Sequence, residues 1–250
     1  MKILISYIGI GFLSLFANNL ISQTTLDYKN RIHSEISDEF MVVSQNHHAT
    51  KVGYEILEQG GNAVDAAVAM GFALAVTLPR AGNLGGGGFM LIYDAKTNKI
   101  SSIDYRSAAP KSATSQMYLT DTGVVRFGHL VNAVPGTVAG LIKAHREHGL
   151  LKLNKVMKPS IKLAQKGIKV SHDLNFVLNF GKQSMLENPV SKAKFYDEED
   201  PLKVDSLFKQ PKLAKTLKLI SNKGDEVFYK GQIAKWISED SLKNGGLITM

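Results

Sequence analysis

The sequence predicts a mixed α/β chain of the α+β kind, and three observations carry the prediction. An amphipathic helical period runs from His47 to Gln59, with Val52, Ile56 and Leu57 recurring on one face. A second, almost wholly apolar helix follows from Ala63 to Leu78. Beyond a glycine-rich loop, two strand-like runs, Phe89 to Asp94 and Ile100 to Arg106, flank a turn at Lys96 to Lys99 and read as a β-hairpin.

The remaining elements follow in order. Met41 to Ser44 reads as a short strand, and Gly60-Gly61-Asn62 ends the first helix with a glycine suited to a left-handed cap. The second helix stops at Pro79 and carries Asp65 as its only charge, so it must be buried within a larger body. Its small residues, Ala66, Ala69, Gly71 and Ala73 among them, permit close packing. Pro135-Gly136-Thr137 opens a helix from Val138 to His148, closed by Gly149. Further helices are expected near Asn154–Lys166, His172–Leu186, Pro211–Asn222 and Gln232–Lys243.

At 250 residues, with 44% hydrophobic and 21% charged side chains, the composition excludes collagen, low-complexity disorder and disulfide scaffolds. The lack of cysteine removes thiol catalysis, cysteine–zinc sites, iron–sulfur clusters and c-type haem. The net charge of +8 is unevenly placed. Residues 1–150 hold 12 basic and 11 acidic side chains, whereas residues 151–250 hold 18 lysines, no arginine and 11 acids. Without arginine for two-pronged contacts, these lysines read as solvated helix faces rather than a nucleic-acid surface.

Lys2 followed by the uncharged apolar run Ile3 to Ala17 has the size of a secretory signal rather than of a membrane span. Residues 1–22 are therefore expected to be a signal peptide, with Ala17 and Ser22 the candidate cleavage points. A flexible lead-in follows at 23–40, and the working chain is expected in the periplasm or secreted.

Most candidate chemistry fails on spacing. The loop Ala81 to Gly88 matches neither phosphate-loop pattern and runs helix, loop, strand, the reverse of phosphate loops, so its glycines point to a close backbone pass. His47-His48 is expected to point to two sides of a helix. His145 and His148 share a face but lack a third ligand, and read as solvated helix-end residues. Asp197-Glu198-Glu199-Asp200 lacks calcium-loop spacing, and no G-x-S-x-G occurs. Neither a metal nor a cofactor is expected. Arg106 is the charge of most interest. Placed at a strand end before Ser107-Ala108-Ala109-Pro110, it could grip a carboxylate, or equally form an ion pair with Asp104 two residues back.

Several blocks resemble the gamma-glutamyltranspeptidase family, whose members are also glutathione hydrolases. They are Gly60-Gly61-Asn62-Ala63-Val64-Asp65-Ala66-Ala67, Ala81-Gly82-Asn83-Leu84-Gly85-Gly86-Gly87-Gly88-Phe89-Met90, and Ile103-Asp104-Tyr105-Arg106 with Ala109-Pro110. Val134-Pro135-Gly136-Thr137-Val138-Ala139-Gly140 and Asn244-Gly245-Gly246-Leu247-Ile248-Thr249 complete them, so the likeness covers 41–250. The resemblance implies an N-terminal-nucleophile hydrolase, an αββα sandwich incomplete in this chain. It further implies a precursor that cuts itself into large and small subunits, whose new N-terminal threonine attacks the gamma-glutamyl carbonyl of a substrate such as glutathione. Arg106 would then hold the α-carboxylate of that substrate. The family's Thr-Thr-His start of the small subunit does not occur in these residues, and Thr24-Thr25 precedes Leu26 at the other end. The chain is therefore expected to be the N-terminal part of the large subunit and inactive without the small-subunit region. A truncated gene, a partial sequence or half of a split gene would each produce it. The alternatives are a secreted non-catalytic binding remnant and a family acylase acting on another amide.

Overall fold

The helix Ala63–Thr77 is the axis about which most of the chain is arranged. A computed structural model describes residues 36–120, 123–125 and 127–250. By contacts the chain divides into Met1–Glu39 and Phe40–Met250. The expected leader at 1–22, and the lead-in up to residue 35, lie outside the described residues.

In the second unit, α1 (His47–Glu58) leads into α2 (Ala63–Thr77), then the hairpin β1 (Phe89–Asp94) and β2 (Lys99–Asp104). A small ribbon, β3 (Leu119–Thr120) with β4 (Gly123–Val124), precedes α3 (Thr137–His148) and α4 (Leu153–Lys166). There follow β5 (Ile168–Lys169), α5 (His172–Phe180), α6 (Lys182–Glu187), α7 (Pro189–Phe195), β6 (Tyr196–Asp197), β7 (Asp200–Pro201) and β8 (Leu207–Phe208). The chain continues through α8 (Pro211–Lys223), α9 (Glu226–Tyr229) and α10 (Gln232–Lys243).

The all-round apolar character of α2 has the predicted consequence. Val68, Ala69, Phe72, Ala73 and Val76 are fully buried, and α1, α3 and α4 lie against it. The main core adds Ile56, Leu141, Val156, Met157, Leu217 and Ile220 from the surrounding helices. A smaller cluster, including Ile168, Leu174, Leu178, Tyr196 and Phe208, lies under the short elements after α4.

The charge on α2 is the most constrained side chain of this core. Asp65 is fully buried, and its Oδ2 accepts from the Asn62 amide at 3.1 Å while Asn62 Oδ1 accepts from the Asp65 amide at 2.9 Å, a reciprocal capping box. The same carboxylate takes the amides of Leu150 at 3.0 Å and Leu151 at 3.2 Å, which join α3 to α4. Asn62 Nδ2 donates to the His148 carbonyl at 2.6 Å, and His145 Nε2 stands 3.8 Å from Asp65 Oδ1.

Three expectations are corrected. Met41 to Ser44 forms no strand, because the polar groups that follow serve the start of α1. The Ser44 amide donates to Thr50 Oγ1, and Asn46 Oδ1 accepts from the amides of His48 and Ala49. The single helix expected over His172–Leu186 is two helices, since the Gly181 amide closes α5 on the Val177 carbonyl. Then α7 starts at Pro189 under an Asn188 cap, a start signal overlooked in the sequence. The strand Ile100–Arg106 is Lys99–Asp104, so Arg106 lies beyond its end. Among the described residues the strands form four two-stranded antiparallel ribbons. No helix of the described residues is long and apolar enough to cross a membrane.

Removing the Asp65 carboxylate takes the acceptor from three backbone amides, those of Asn62, Leu150 and Leu151. Asp65→Ala is expected to lower unfolding free energy by about 3 kcal/mol in urea denaturation. A loss below about 1 kcal/mol would show that water or a shifted backbone replaces the carboxylate.

Candidate functional site

Arg106 is built into place by its backbone. Tyr105 continues the hairpin ladder one residue past β2, exchanging hydrogen bonds with Gly88 at 3.0 and 3.3 Å. Beyond Arg106, Ala108 and Val134 exchange a second pair at 2.8 and 3.1 Å. The Arg106 segment is thus pinned on both sides, to the glycine loop and to the entry of α3.

The glycines of both blocks allow this approach. A Cβ on Gly136 would overlap the Tyr105 carbonyl oxygen, and one on Gly140 would enter the Tyr105 ring. On the other side, a Cβ at Gly87 would stand 2.6 Å from the same carbonyl oxygen. The loop's role is the close backbone pass expected of it. The entry of α3 has no side-chain cap; the Gly86 carbonyl accepts from the Gly136 amide at 2.7 Å and the Thr137 amide at 3.0 Å instead. From α9, the Tyr229 hydroxyl donates to the Pro135 carbonyl at 2.9 Å and accepts from the Ala139 amide at 3.1 Å. Burial pushes the pKa values of Tyr105 and Tyr229 upward, so both phenols stay neutral.

The ion pair between Arg106 and Asp104 does not form. Asp104 Oδ1 accepts from the Arg106 backbone amide at 2.9 Å, a local turn that occupies the carboxylate with main chain. The guanidinium is exposed and has no ion pair or hydrogen bond among the described residues. The other described arginines are paired, Arg80 with Asp173 at 2.8 Å and Arg146 with Asp225 at 3.9 Å. A planar, permanently charged fork held by its main chain alone is suited to take a carboxylate through two parallel hydrogen bonds.

The remaining candidates resolve differently. His145 is not a solvated helix-end residue, since its Nε2 lies 2.7 Å from the Leu151 carbonyl within the Asp65 network. His47 and His48 do not diverge; their ring centroids are 3.9 Å apart. Burial, with the charges of His47 and Lys51, lowers the pKa of His48. Asp197 and Asp200 pair across the β6–β7 hairpin, whose turn includes Glu198 in the left-handed region at φ 55°. Among the described residues no group of three or more His, Asp or Glu side chains could hold a metal ion.

On the outer side of the hairpin, Phe89, Leu91, Tyr93 and Ile100 stand exposed, Leu91 at 78%. Tyr93 and Ile100 are directly opposed in the ladder, so the face is continuous across both strands.

Comparison with known proteins shows the family. A profile described as Gamma-glutamyltranspeptidase matches residues 49–250. The chain belongs to this family. The glutathione hydrolase proenzyme of Escherichia coli is 46% identical over 223 residues, 87% of this chain and 38% of that protein. The chain therefore spans well under half of that gamma-glutamyltranspeptidase relative. The crystal structure of Helicobacter pylori gamma-glutamyltranspeptidase superposes with a TM-score of 0.83 at 39% identity, covering 87% of this chain and 64% of that one. A cephalosporin acylase from Bacillus halodurans superposes at 0.71 with 26% identity, covering 80% of this chain and 39% of that one. The fold is that of N-terminal-nucleophile hydrolases, as the gamma-glutamyltranspeptidase resemblance implies.

Sequence reasoning found Arg106 but not its supports. Gly136 and Gly140 are spaced as i and i+4, which signals a bare patch along one helix face. Nothing in the sequence marks Tyr229. A methyl group at Gly136 must displace backbone, so Gly136→Ala is expected to destabilise the protein by about 2 kcal/mol or more in thermal unfolding. Tyr229→Phe removes two hydrogen bonds without changing shape, and is expected to cost about 1–2 kcal/mol by the same measurement.

Proposed function

We propose that this chain is the N-terminal, large-subunit portion of a gamma-glutamyltransferase or glutathione hydrolase, and that Arg106 holds the α-carboxylate of the gamma-glutamyl substrate. The observation that carries this is the guanidinium of Arg106, without a partner among the described residues and rooted in a backbone segment paired on both sides, within a motif that resembles the family's. In the proposed reaction a threonine from a segment outside these 250 residues attacks the gamma-glutamyl carbonyl, with its own α-amine taking the hydroxyl proton. The amine of the leaving group departs and an acyl-enzyme remains. Water or the amine of an amino acid then takes the acyl group. This chain's contribution is orientation: a fixed carboxylate places the gamma carbonyl relative to the attacking oxygen.

The exposed apolar face of the hairpin supports the same reading. Monomeric proteins rarely leave such residues contiguous and uncovered, and a small-subunit region is the occupant proposed here. Export belongs to the proposal as well, with residues 1–22 removed and the mature chain in the periplasm or secreted.

The test is co-expression of this chain with the remainder of the Escherichia coli relative, followed by assay of a gamma-glutamyl anilide. This chain alone is expected to show no turnover, and the combination to release the anilide. Silence of every such combination would leave a non-catalytic binding protein. The likeness to the cephalosporin acylase supports a second reading, another amide substrate; preferential release of the acyl side chain of a cephalosporin over turnover of the gamma-glutamyl anilide would establish it. In the active combination, Arg106→Lys keeps the charge but loses the two-pronged grip, and is expected to raise KM for gamma-glutamyl donors about 10- to 100-fold. An unchanged KM would remove the carboxylate role.

A further inference from the structure

The lysines of the second half are not distributed as solvated helices distribute them. The helix α4 carries Lys155, Lys158, Lys162 and Lys166, and α8 carries Lys212, Lys215, Lys218 and Lys223. Neither helix holds an acidic residue, all eight lysines are exposed, and none forms an ion pair among the described residues. Lysines on other helices behave differently. Lys51, Lys143, Lys230 and Lys235 each face a glutamate four residues away at 3.7–4.0 Å. Like charges at this spacing destabilise a helix, and Lys158, Lys162 and Lys166 repeat it twice, so the arrangement opposes helix stability rather than serving it.

The two helices pack against each other. Along its other flank α4 forms grooves with α1. One of about 470 Å³ is lined by Glu55, Gln59, Lys155, Lys158, Pro159 and Lys162. Its neighbour adds Lys51, Lys166 and His48. The single carboxylate there, Glu55, already faces Lys51 at 4.0 Å. The two neighbouring helices thus each expose four lysines with almost no internal compensation.

We propose that this α4–α8 surface adsorbs to the anionic headgroups of a phospholipid bilayer. Lysine ammoniums act as point charges, and a cluster of four to eight of them on an amphipathic helix suffices for attachment to acidic lipid. Nucleic acid is the less suitable polyanion. Neither helix has an arginine for two-pronged phosphate contacts or an aromatic ring for stacking on bases. Nor does either expose a large hydrophobic residue, so attachment is electrostatic and superficial rather than inserted. The proposal is independent of the catalytic reading.

The test is co-sedimentation of the full chain with vesicles of phosphatidylcholine, with and without phosphatidylglycerol. Binding is expected only to vesicles containing phosphatidylglycerol, and to fall steeply with added salt. The triple variant Lys158→Gln, Lys162→Gln, Lys166→Gln is expected to bind roughly tenfold or more weakly. A control triple, Lys143→Gln, Lys230→Gln, Lys235→Gln, removes the same charge from ion-paired positions and is expected to change binding less than about twofold. The leader is common to all three proteins, and any insertion by it appears equally with phosphatidylcholine. Circular dichroism of each variant checks folding. Equal loss in both triples would reduce the effect to net charge and overturn the surface assignment. Equal binding to both vesicle types, or tighter retention on duplex DNA than on phosphatidylglycerol at the same salt, would overturn the lipid assignment.

Discussion

A carboxylate sealed inside the protein must be surrounded by donors, because an unpaired charge away from water costs far more than a single hydrogen bond returns. Asp65 takes its hydrogen bonds from main-chain amides, those of Asn62 at the head of α2 and of Leu150 and Leu151 between α3 and α4, with His145 beside it at 3.8 Å. One side chain thereby sets where three helices stand relative to one another. Asn62 reinforces the arrangement by capping α2 and reaching the His148 carbonyl from the same position. The hairpin and the glycine loop are then hung on a framework whose helix starts are already placed.

The Arg106 site inherits its order from that framework. The start of α3 is capped by the Gly86 carbonyl and the Tyr229 hydroxyl, so loop, helix and α9 share one polar cluster. Gly136 and Gly140 then let the Tyr105 main chain and ring lie directly on the helix. With Tyr105 and Ala108 both paired, the arginine between them has little backbone freedom, and its guanidinium remains uncommitted among the described residues. That combination, a rigid root and a free charged end, is what recognition of a small anion requires.

Polarity is also segregated at the level of the whole second unit. The hairpin exposes a continuous apolar face, while uncompensated lysines concentrate on α4 and α8. Exposed apolar strands and unpaired cationic rows each carry an energetic penalty in an isolated chain. Their separation onto different elements is consistent with two different contacts, one apolar and one electrostatic.

The sequence by itself determined the elements whose causes are local. The apolar run of α2, the breaks at Gly60 and Pro79, the hairpin and the helices Thr137–His148, Leu153–Lys166, Pro211–Lys223 and Gln232–Lys243 emerge near their observed limits, because periodicity and capping act over a few residues. It also singled out Arg106 and, through five blocks, the family. Where local signals were weak or contested it misled: Met41–Ser44 lost its strand to the cap of α1, and His172–Leu186 broke at Gly181. Only the tertiary structure removed the ion pair from the two readings left even for Arg106. Asp104 was near enough in sequence to pair with it, but the turn spends that carboxylate on a backbone amide. Likewise, His145 and Tyr229 found their partners through contacts made across the fold, His145 with Asp65 and Tyr229 with Pro135 and Ala139. Such roles leave no local trace, because hydrogen bonds between distant segments depend on where the folded chain brings them together.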